Sequence, residues 1–281
     1  MNVKQSIFIM FFLLTSVLSA EENLFKDGDA ESSIGNWANG DVQVCSENPR
    51  SGKNCFKTLK SAVINSSFIP IDPSKKYKIS GWFKSANDKK TYLYLGFVPF
   101  DANCTQIKSE EVTIIPDTET ELSETCKPED NIIKIKDGSK WKVEKLDGKI
   151  PLNMIAFFAD ATKEYKDLPN RDISPGITKV EKKEDVWEVY LEKPYGNCFK
   201  VYPAGTKIRE HKSGATYGYS ILEVNFNSPE WKEFSATIEG TSPYGFNGKK
   251  FWHGTKFIKI VIMSLGGGPV YFDDIRFEEQ K

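Results

Sequence analysis

The feature that most restricts the fold is a series of short strand-like segments with very little helical periodicity. In residues 76–85 (KYKISGWFKS), Tyr77, Ile79 and Phe83 share one face if the segment is extended. Successive side chains of a strand point to opposite faces, so this period of two predicts a strand with one buried face. Other segments of similar character are residues 91–100, 230–240, 256–265 and 270–277. Many short strands separated by turn residues predict an all-β sandwich or barrel.

Only one segment has spacing typical of a helix. Phe157, Ala161, Tyr165 and Leu168 recur at intervals that place them on one face of a helix over residues 157–168. We therefore predict one helix in an otherwise β-rich chain.

The first twenty residues have the order of a secretory signal peptide. Lys4 precedes an apolar run from Ile7 to Leu14, and mostly small residues follow up to Ala20. This order predicts cleavage after Ala20. The apolar run is short for a membrane span of about 20 residues. We expect a mature chain without a transmembrane segment, located outside the cytosol as a secreted, cell-surface or periplasmic protein.

The middle of the chain differs in composition from its two ends. Residues 110–211 are rich in Lys, Glu and Asp and carry short β signals, whereas the ends are more aromatic. We predict that residues 110–211 form a small β-rich subdomain inserted into a sandwich of residues 21–109 and 212–281. Insertion into an exposed loop costs little entropy. Two sequential domains are the alternative.

The charges and motifs exclude several classes of function. The sequence of 281 residues has 38 Lys and Arg against 39 Asp and Glu and shows no basic stripe, so we expect no nucleic-acid partner. The two histidines are not at metal-ligand spacing, and no common catalytic motif occurs.

Residues 165–174, with Asp167, Arg171 and Asp172, are the polar cluster where we would look for catalysis; a solvated loop is the alternative.

The five cysteines are interpreted as disulfide partners in an oxidising compartment. Cys45 and Cys55 flank a turn-rich stretch with Pro49 and Gly52, which favours a bridge between them. The pairing of the other three stays open; these are Cys104, Cys126 and Cys198.

Four fragments together resemble the galactose-binding-like β-jelly-roll carbohydrate-binding modules. They are NLFKDGDAES…NWANGDV at the mature start, SGKNCFKTL, YKISGWFKSA and the closing VYFDDIRF. The resemblance covers roughly residues 23–108 and 214–279, in the order that the fold requires. Asp27 and Ala30 depart from the family pattern, which has Asn and Phe at these positions. The resemblance implies a jelly-roll β-sandwich.

The same resemblance implies a structural calcium ion where the first strand meets the last. Asp29, Glu31 and Asp273 would supply carboxylate oxygens, and backbone carbonyls near Gly52 to Asn54 would complete the six to eight ligands that calcium requires. The alternative is that Asp273 or Asp274 is neutralised by Lys or Arg, or by backbone N–H groups.

Aromatic residues, which make up 13% of the chain, are sufficient for both a core and a sugar-binding surface. Sugar rings have flat apolar faces that stack on exposed aromatic side chains, and core packing is the alternative role for each of these residues. The candidate ligand-binding residues are Trp37, Trp82, Tyr92, Tyr94, Tyr217, Tyr219 and Trp252, with Tyr244 in a similar loop.

We therefore expect a secreted, non-catalytic protein that binds poly- or oligosaccharides through exposed aromatic residues. A glycan-active hydrolase or lyase on the same scaffold, or a structural surface-matrix protein, are the alternatives. The sequence does not identify the sugar or the oligomeric state.

Overall fold

The computed structural model describes residues 22–38, 40–158, 165–194, 200–242 and 247–281. Apart from one helix of a single turn, the regular secondary structure of these residues consists of strands, which confirms the predicted all-β class. No helix among them has the length and apolar character needed to cross a membrane. The predicted signal peptide lies outside the described residues.

The elements in chain order are β1 (Val42–Cys45), β2 (Cys55–Thr58), β3 (Ala62–Ile64), β4 (Ile69–Pro70), β5 (Lys76–Ser85), β6 (Thr91–Phe100), α1 (Ser109–Val112), β7 (Thr120–Glu121), β8 (Ile132–Ile135), β9 (Lys145–Leu146), β10 (Ile150–Pro151), β11 (Asn153–Phe158), β12 (Ile177–Lys183), β13 (Val186–Leu191), β14 (Lys207–Lys212), β15 (Gly218–Phe226), β16 (Lys232–Glu239), β17 (Phe257–Leu265) and β18 (Val270–Gln280).

Two large antiparallel sheets form a jelly-roll β-sandwich, as predicted. The first has the strand order β1-β2-β18-β5-β16, and the second has the order β15-β6-β17-β3, with β4 also paired to β17. The strands near the C-terminus pair with strands from the first hundred residues, because β16 joins β5, β17 joins β6, and β18 joins both β2 and β5. The predicted pairing of these two parts of the chain is confirmed.

The inward faces of both sheets fill one apolar core. Strand β5 contributes the three residues that the sequence predicted to share a buried face, and β6 contributes alternate residues. Alternation then turns the intervening side chains outward, where they are available for binding. The inward residues of these two central strands are Tyr77, Ile79, Phe83, Leu93, Leu95 and Phe97.

The N-terminal segment, residues 23–28, lies along β18. The backbone N–H of Leu24 donates to the carbonyl of Phe277 at 2.8 Å, and the N–H of Ile275 donates to the carbonyl of Gly28 at 2.9 Å. A Cβ at Gly28 would lie 1.9 Å from the Ile275 carbonyl oxygen, so this contact requires glycine. The two ends of the described chain are therefore joined.

The strands of residues 120–212 belong to separate, smaller sheets. Their orders are β11-β14-β7, β12-β13-β8 and β10-β9. They enclose an apolar core of their own, which includes Trp141, Ile155, Val189 and Ile208. The division of the chain into a sandwich and an inserted subdomain of residues 110–211 stays a prediction.

Ion pairs and a small apolar cluster connect these sheets to the sandwich. The Arg171 guanidinium donates to the carboxylates of Asp101, which follows β6, and Glu111, which lies in α1. Trp252 is fully buried among Ile107 and other apolar residues of the junction.

The predicted helix over residues 157–168 is wrong at its start. Phe157 and Phe158 end β11, where they pair with Ile208 and Lys207 of β14. Both phenylalanines are buried, so apolar spacing at this point reflects packing against a neighbouring strand. Residues 159–164 lie outside the described residues.

Glu210 of β14 is a buried carboxylate between the small sheets. Its side chain is 0% exposed, and both carboxylate oxygens accept the backbone N–H of Lys142 at 3.2 Å. Burial raises the pKa of Glu210 to about 7, while the Lys142 N–H and the Asn153 side chain act in the opposite direction. The native state therefore binds a proton at Glu210 more tightly than the unfolded chain does.

The stability that this proton contributes is present below the unfolded pKa of 4.5 and is lost as the pH rises through about 7. We predict that Glu210→Gln removes this loss. Between pH 5 and pH 8 the unfolding free energy of the wild type should fall by roughly 2 kcal/mol relative to that of the variant. Urea unfolding at both pH values measures the difference, with the exposed Glu129→Gln as the control. Equal pH slopes for wild type and Glu210→Gln would contradict the prediction.

Cys45 and Cys55 lie opposite each other on β1 and β2, but they are free thiols. The Cys45 sulfur lies 3.9 Å from the Gln43 carbonyl oxygen, and the Cys55 sulfur lies 3.8 Å from that of Glu47. The expected bridge is therefore absent from this structure, in which each sulfur contacts a backbone carbonyl. Cys104 and Cys126 are also free thiols, and Cys198 lies outside the described residues.

We predict that oxidised glutathione joins Cys45 to Cys55 when the chain refolds, because directly opposed residues of an antiparallel pair lie within disulfide reach. Burial raises the pKa of Cys55 to about 12, so reaction in the folded protein should be slow. The bridge should stabilise by about 2–3 kcal/mol, a rise in Tm of about 5–10 °C. Peptide mass mapping and melting curves test this, with Cys55→Ser as the control; alkylation of both thiols after oxidative refolding would contradict it.

Candidate functional site

Four tyrosines gather on the outward side of the second sheet. Because Leu93 and Leu95 point into the core, Tyr92 and Tyr94 point outward from β6. Tyr219 lies on the neighbouring strand β15. We call this surface the tyrosine face; it consists of Tyr92, Tyr94, Tyr217 and Tyr219.

Three rings of the tyrosine face are in contact, and the face is partly open to solvent. The ring centroids of Tyr94 and Tyr219 are 4.7 Å apart, and those of Tyr217 and Tyr219 are 6.0 Å apart. Tyr92 is 45% exposed. Burial raises the pKa of the Tyr219 phenol, and the neighbouring Tyr217 and Tyr94 raise it further, so Tyr219 keeps its hydroxyl proton near neutral pH. The surface thus presents aromatic rings together with the neutral hydroxyl group of Tyr219.

Apolar side chains extend the tyrosine face along β15 and β17. Leu222 and Met263 are the register partners of Tyr94 on its two sides. Leu222 is 53% exposed and Val224 is 49% exposed. Exposed apolar surface that is rimmed by polar groups is typical of a binding site.

The strands that carry the tyrosine face have few acidic residues. The segments of β3, β6 and β17 contain no Asp or Glu. Glu223 of β15 is the register partner of Leu93, which faces the core. The Glu223 side chain therefore leaves the sheet on the face opposite to that of Tyr94. Two facing carboxylates, which most glycosidases use, are not available from the strands of this face.

Trp82 lies on the outward side of the other sheet, away from the tyrosine face. The Arg50 guanidinium is 4.3 Å from the centre of the Trp82 ring, and Arg50 also pairs with Asp274 at 3.3 Å. The Arg50 guanidinium therefore covers one side of the Trp82 ring, in a small polar groove. Arg50 was not among the predicted site residues, because it reaches Trp82 from a distant turn and no local pattern signals that contact.

Trp37 and Trp252 are not exposed, which corrects their predicted role as sugar platforms. Trp37 is 3% exposed, its ring packs against Phe25 and Phe272, and its Nε1 donates to the Asp27 carbonyl at 3.0 Å. Trp252 is 0% exposed in the junction cluster. Both lie in polar loop sequences, but these loops fold back over apolar surfaces. Tyr244 lies outside the described residues.

Glu31 contacts the end of a turn formed by residues 50–54. Its Oε1 accepts the backbone N–H groups of Lys53 at 2.8 Å and Asn54 at 2.9 Å, and these bonds lower the pKa of Glu31. Gly52 has a positive φ of 60°, and a Cβ there would lie 2.4 Å from the Glu31 carboxylate, so the contact requires glycine. Asp29 is exposed, and its Oδ1 accepts the backbone N–H of Glu31 at 3.2 Å.

Asp273 contacts the start of the same turn. It is 1% exposed, and its Oδ2 accepts the backbone N–H groups of Arg50 at 3.2 Å and Ser51 at 3.3 Å. Asp274 follows at a bulge with a positive φ of 50° and points to Arg50. Burial, followed by the Asp274 charge, raises the pKa of Asp273 to about 6.

Glu31 and Asp273 thus contact two ends of one turn, residues 50–54. Both carboxylates supply the hard oxygen ligands that calcium prefers. Within the described part of the chain, however, no group of three or more His, Cys, Asp and Glu side chains could hold a metal ion. An ion at this turn would therefore need backbone carbonyl oxygens or water in addition to these two side chains.

The charged groups of residues 165–174 point to three different partners. Asp167 pairs with the buried Arg209, Arg171 pairs with carboxylates at the junction, and Asp172 pairs with Lys200 at 3.0 Å. The structure does not bring Asp167, Arg171 and Asp172 together, so they form no catalytic cluster of their own.

The buried histidine beside this region is also fixed in place. His211 is 0% exposed, its Nε2 accepts from Arg209 Nε at 2.9 Å, and its Nδ1 donates to the Glu110 carbonyl at 2.7 Å. Burial lowers the pKa of His211 to about 3, so the ring is neutral near pH 7 and unsuited to acid–base catalysis there.

No protein-family model and no curated protein matches the sequence. Among solved structures, the chain is similar to the CBM22-1 xylan-binding domain from Paenibacillus barcinonensis Xyn10C, with 9% identity, a TM-score of 0.37, and coverage of 93% of this chain and 97% of that one. It is also similar to the enzymatically active domain of tailspike protein 4 from bacteriophage CBA120, with 9% identity, a TM-score of 0.33, and coverage of 92% and 21%. Similarity at this level carries no information about the ligand of this chain.

Proposed function

We propose that this chain is a non-catalytic carbohydrate-binding protein that holds a poly- or oligosaccharide against the tyrosine face. The observation that carries the proposal is the contact between Tyr94 and Tyr219 beside the 45% exposed ring of Tyr92, on the outward side of a sandwich sheet. A rigid sheet holds these rings at fixed positions before any ligand arrives, which reduces the entropy lost on binding.

Sugar rings match such a surface chemically. Their C–H faces are apolar and stack on aromatic rings, while their hydroxyl groups form hydrogen bonds with tyrosine hydroxyls. Leu222 and Met263 enlarge the apolar area beside Tyr94. The absence of acidic residues from β3, β6 and β17 favours binding over glycoside cleavage at this face.

The proposal includes a location outside the cytosol. Its support is the order of charged, apolar and small residues in positions 1–20, which is that of a secretory signal peptide. An extracellular location would bring the tyrosine face into contact with cell-surface or environmental polysaccharides.

We predict that Tyr94→Ala and Tyr219→Ala each weaken glycan binding about tenfold, because each removes one stacking ring. Affinity gels containing different polysaccharides, followed by calorimetry with the one that retards the protein most, measure the loss. Tyr271→Ala is the matched control, since Tyr271 lies on the first sheet. Trp82→Ala reports separately on the polar groove of that sheet.

Unchanged binding by Tyr94→Ala and Tyr219→Ala, with melting curves like that of the wild type, would overturn the proposed site. A loss with Trp82→Ala alone would move the binding site to the first sheet.

We also propose that a structural calcium ion lies between Glu31 and Asp273, with backbone carbonyls of residues 50–54 among its ligands. The support is that both carboxylates contact this turn and that the pKa of the buried Asp273 is raised, so a nearby cation would relieve the cost of ionising it. When bound, the ion would stabilise the junction of the two chain ends.

We predict that chelation lowers the Tm by about 5–10 °C if calcium was present at about one hundred times its Kd, because binding to the native state alone stabilises by mass action. Asp273→Asn and Glu31→Gln should abolish the calcium-dependent difference, and the remote Asp147→Asn should preserve it. Asp29→Asn tests whether Asp29 is a ligand. Identical melting curves of the wild type in calcium and in excess chelator would contradict the proposal.

A further inference from the structure

A groove opens at the edge of the sandwich, between the edge strands β15 and β16. Its volume is about 720 Å³, within the range of ligand-binding clefts. Its lining residues are Lys78, Tyr219, Ser220, Ile221, Leu222, Ser235, Ala236, Thr237 and Lys249.

The charge of this groove is entirely positive. Lys78 and Lys249 are its charged lining residues, and no Asp or Glu lines it. Among the described residues, neither ammonium group has an ion-pair partner within 4.0 Å. Glu278, the register partner of Lys78 on β18, pairs with Arg276 at 3.3 Å. Two lysines that form no ion pair with a described residue, beside a cleft, favour an anionic ligand.

The remaining polar groups of the groove suit a sugar. Ser235 and Thr237 are exposed on β16 and offer hydroxyl groups. Ser220 is already engaged, because its Oγ donates to the Gly248 carbonyl at 2.7 Å.

The groove is continuous with the tyrosine face. Tyr219 lines the groove and contacts Tyr94 at 4.7 Å between ring centroids. A glycan chain stacked on Tyr94 and Tyr219 can therefore extend over the sheet edge toward the two lysines.

We propose that the groove binds the acidic group of a glycan, so that the ligand of this protein is an acidic polysaccharide. The inference rests on the proposed function, because it requires a sugar chain on Tyr219. Carboxylates of uronic acids and sulfate esters share the relevant chemistry, a negative charge with oxygen acceptors that Lys ammonium groups bind. Lys78 and Lys249 set the preference for acidic over neutral chains, and the tyrosine face contributes affinity common to both.

The two lysines act through solvent-exposed ion pairs. Each such pair contributes about 1.4- to 5-fold in affinity, and salt screens it. The acidic preference should therefore fall as the ionic strength rises, whereas stacking on the tyrosines should change little.

The experiment compares three glycans of similar length: polygalacturonate, its carboxyl-reduced neutral form, and dextran sulfate. Binding of the wild type, Lys78→Gln, Lys249→Gln and the double variant is measured by calorimetry at low and at high salt. Lys149→Gln, which makes the same charge change in the turn between β9 and β10, is the control, and melting curves establish that each variant is folded.

We expect the double variant to lose about 2- to 25-fold in affinity for an acidic glycan at low salt. Its affinity for the neutral form should stay within about twofold of the wild-type value. Polygalacturonate and dextran sulfate distinguish a carboxylate from a sulfate as the bound group.

Equal binding of acidic and neutral glycans by the wild type, or an acidic preference that survives in the double variant, would overturn the groove proposal and leave the tyrosine face intact. Loss of all glycan binding by Tyr219→Ala with no effect of the lysine variants would likewise overturn the groove proposal alone. No binding of any glycan by the wild type would overturn the proposed function as well.

Discussion

The pairing of β18 with both β2 and β5 is the interaction on which the rest of the sandwich depends. Without β18, the first sheet would separate into the pairs β1-β2 and β5-β16. The N-terminal segment also binds β18, through the bond from Leu24 to Phe277. Asp273 of this strand accepts a hydrogen bond from Arg50, 223 residues away in sequence. The sheet therefore cannot close until the last part of the chain is available, and such non-local contacts make folding slow.

Closing the sandwich in this way gives the two outward faces different chemistry. On the second sheet the outward positions of β6 include Tyr92 and Tyr94, which have apolar neighbours. On the first sheet the outward positions of β5 include Lys78 and Trp82, among charged groups. The core needs only the inward residues to be apolar, so the outward residues are free to differ between the sheets. The edge groove lies where these two surfaces meet.

The smaller sheets bury several ionisable groups whose residue types suggest catalysis. Arg209 is 1% exposed and bonds to His211 and Asp167, and Glu210 lies on the other side of the same strand. Buried charges of this kind are costly to leave unpaired. Their hydrogen bonds join strand β14 to the loops around it, which is a structural role. These bonds explain how a charge-rich segment can be ordered.

The sequence by itself determined the all-β class, and it placed β5 and β6 at the bounds observed, because alternation and β-branched or aromatic runs are local properties of the chain. The same local signals could not establish that Trp37 and Trp252 are buried or that residues 157 and 158 belong to a strand, since these depend on what packs against them. Only the tertiary structure brought Tyr94 to Tyr219. The resemblance of separate fragments to a known family had already implied that Glu31 and Asp273 meet near one turn, and the structure shows both carboxylates in contact with residues 50–54. Contacts between residues far apart in sequence arise from strand order and register, which no single segment encodes.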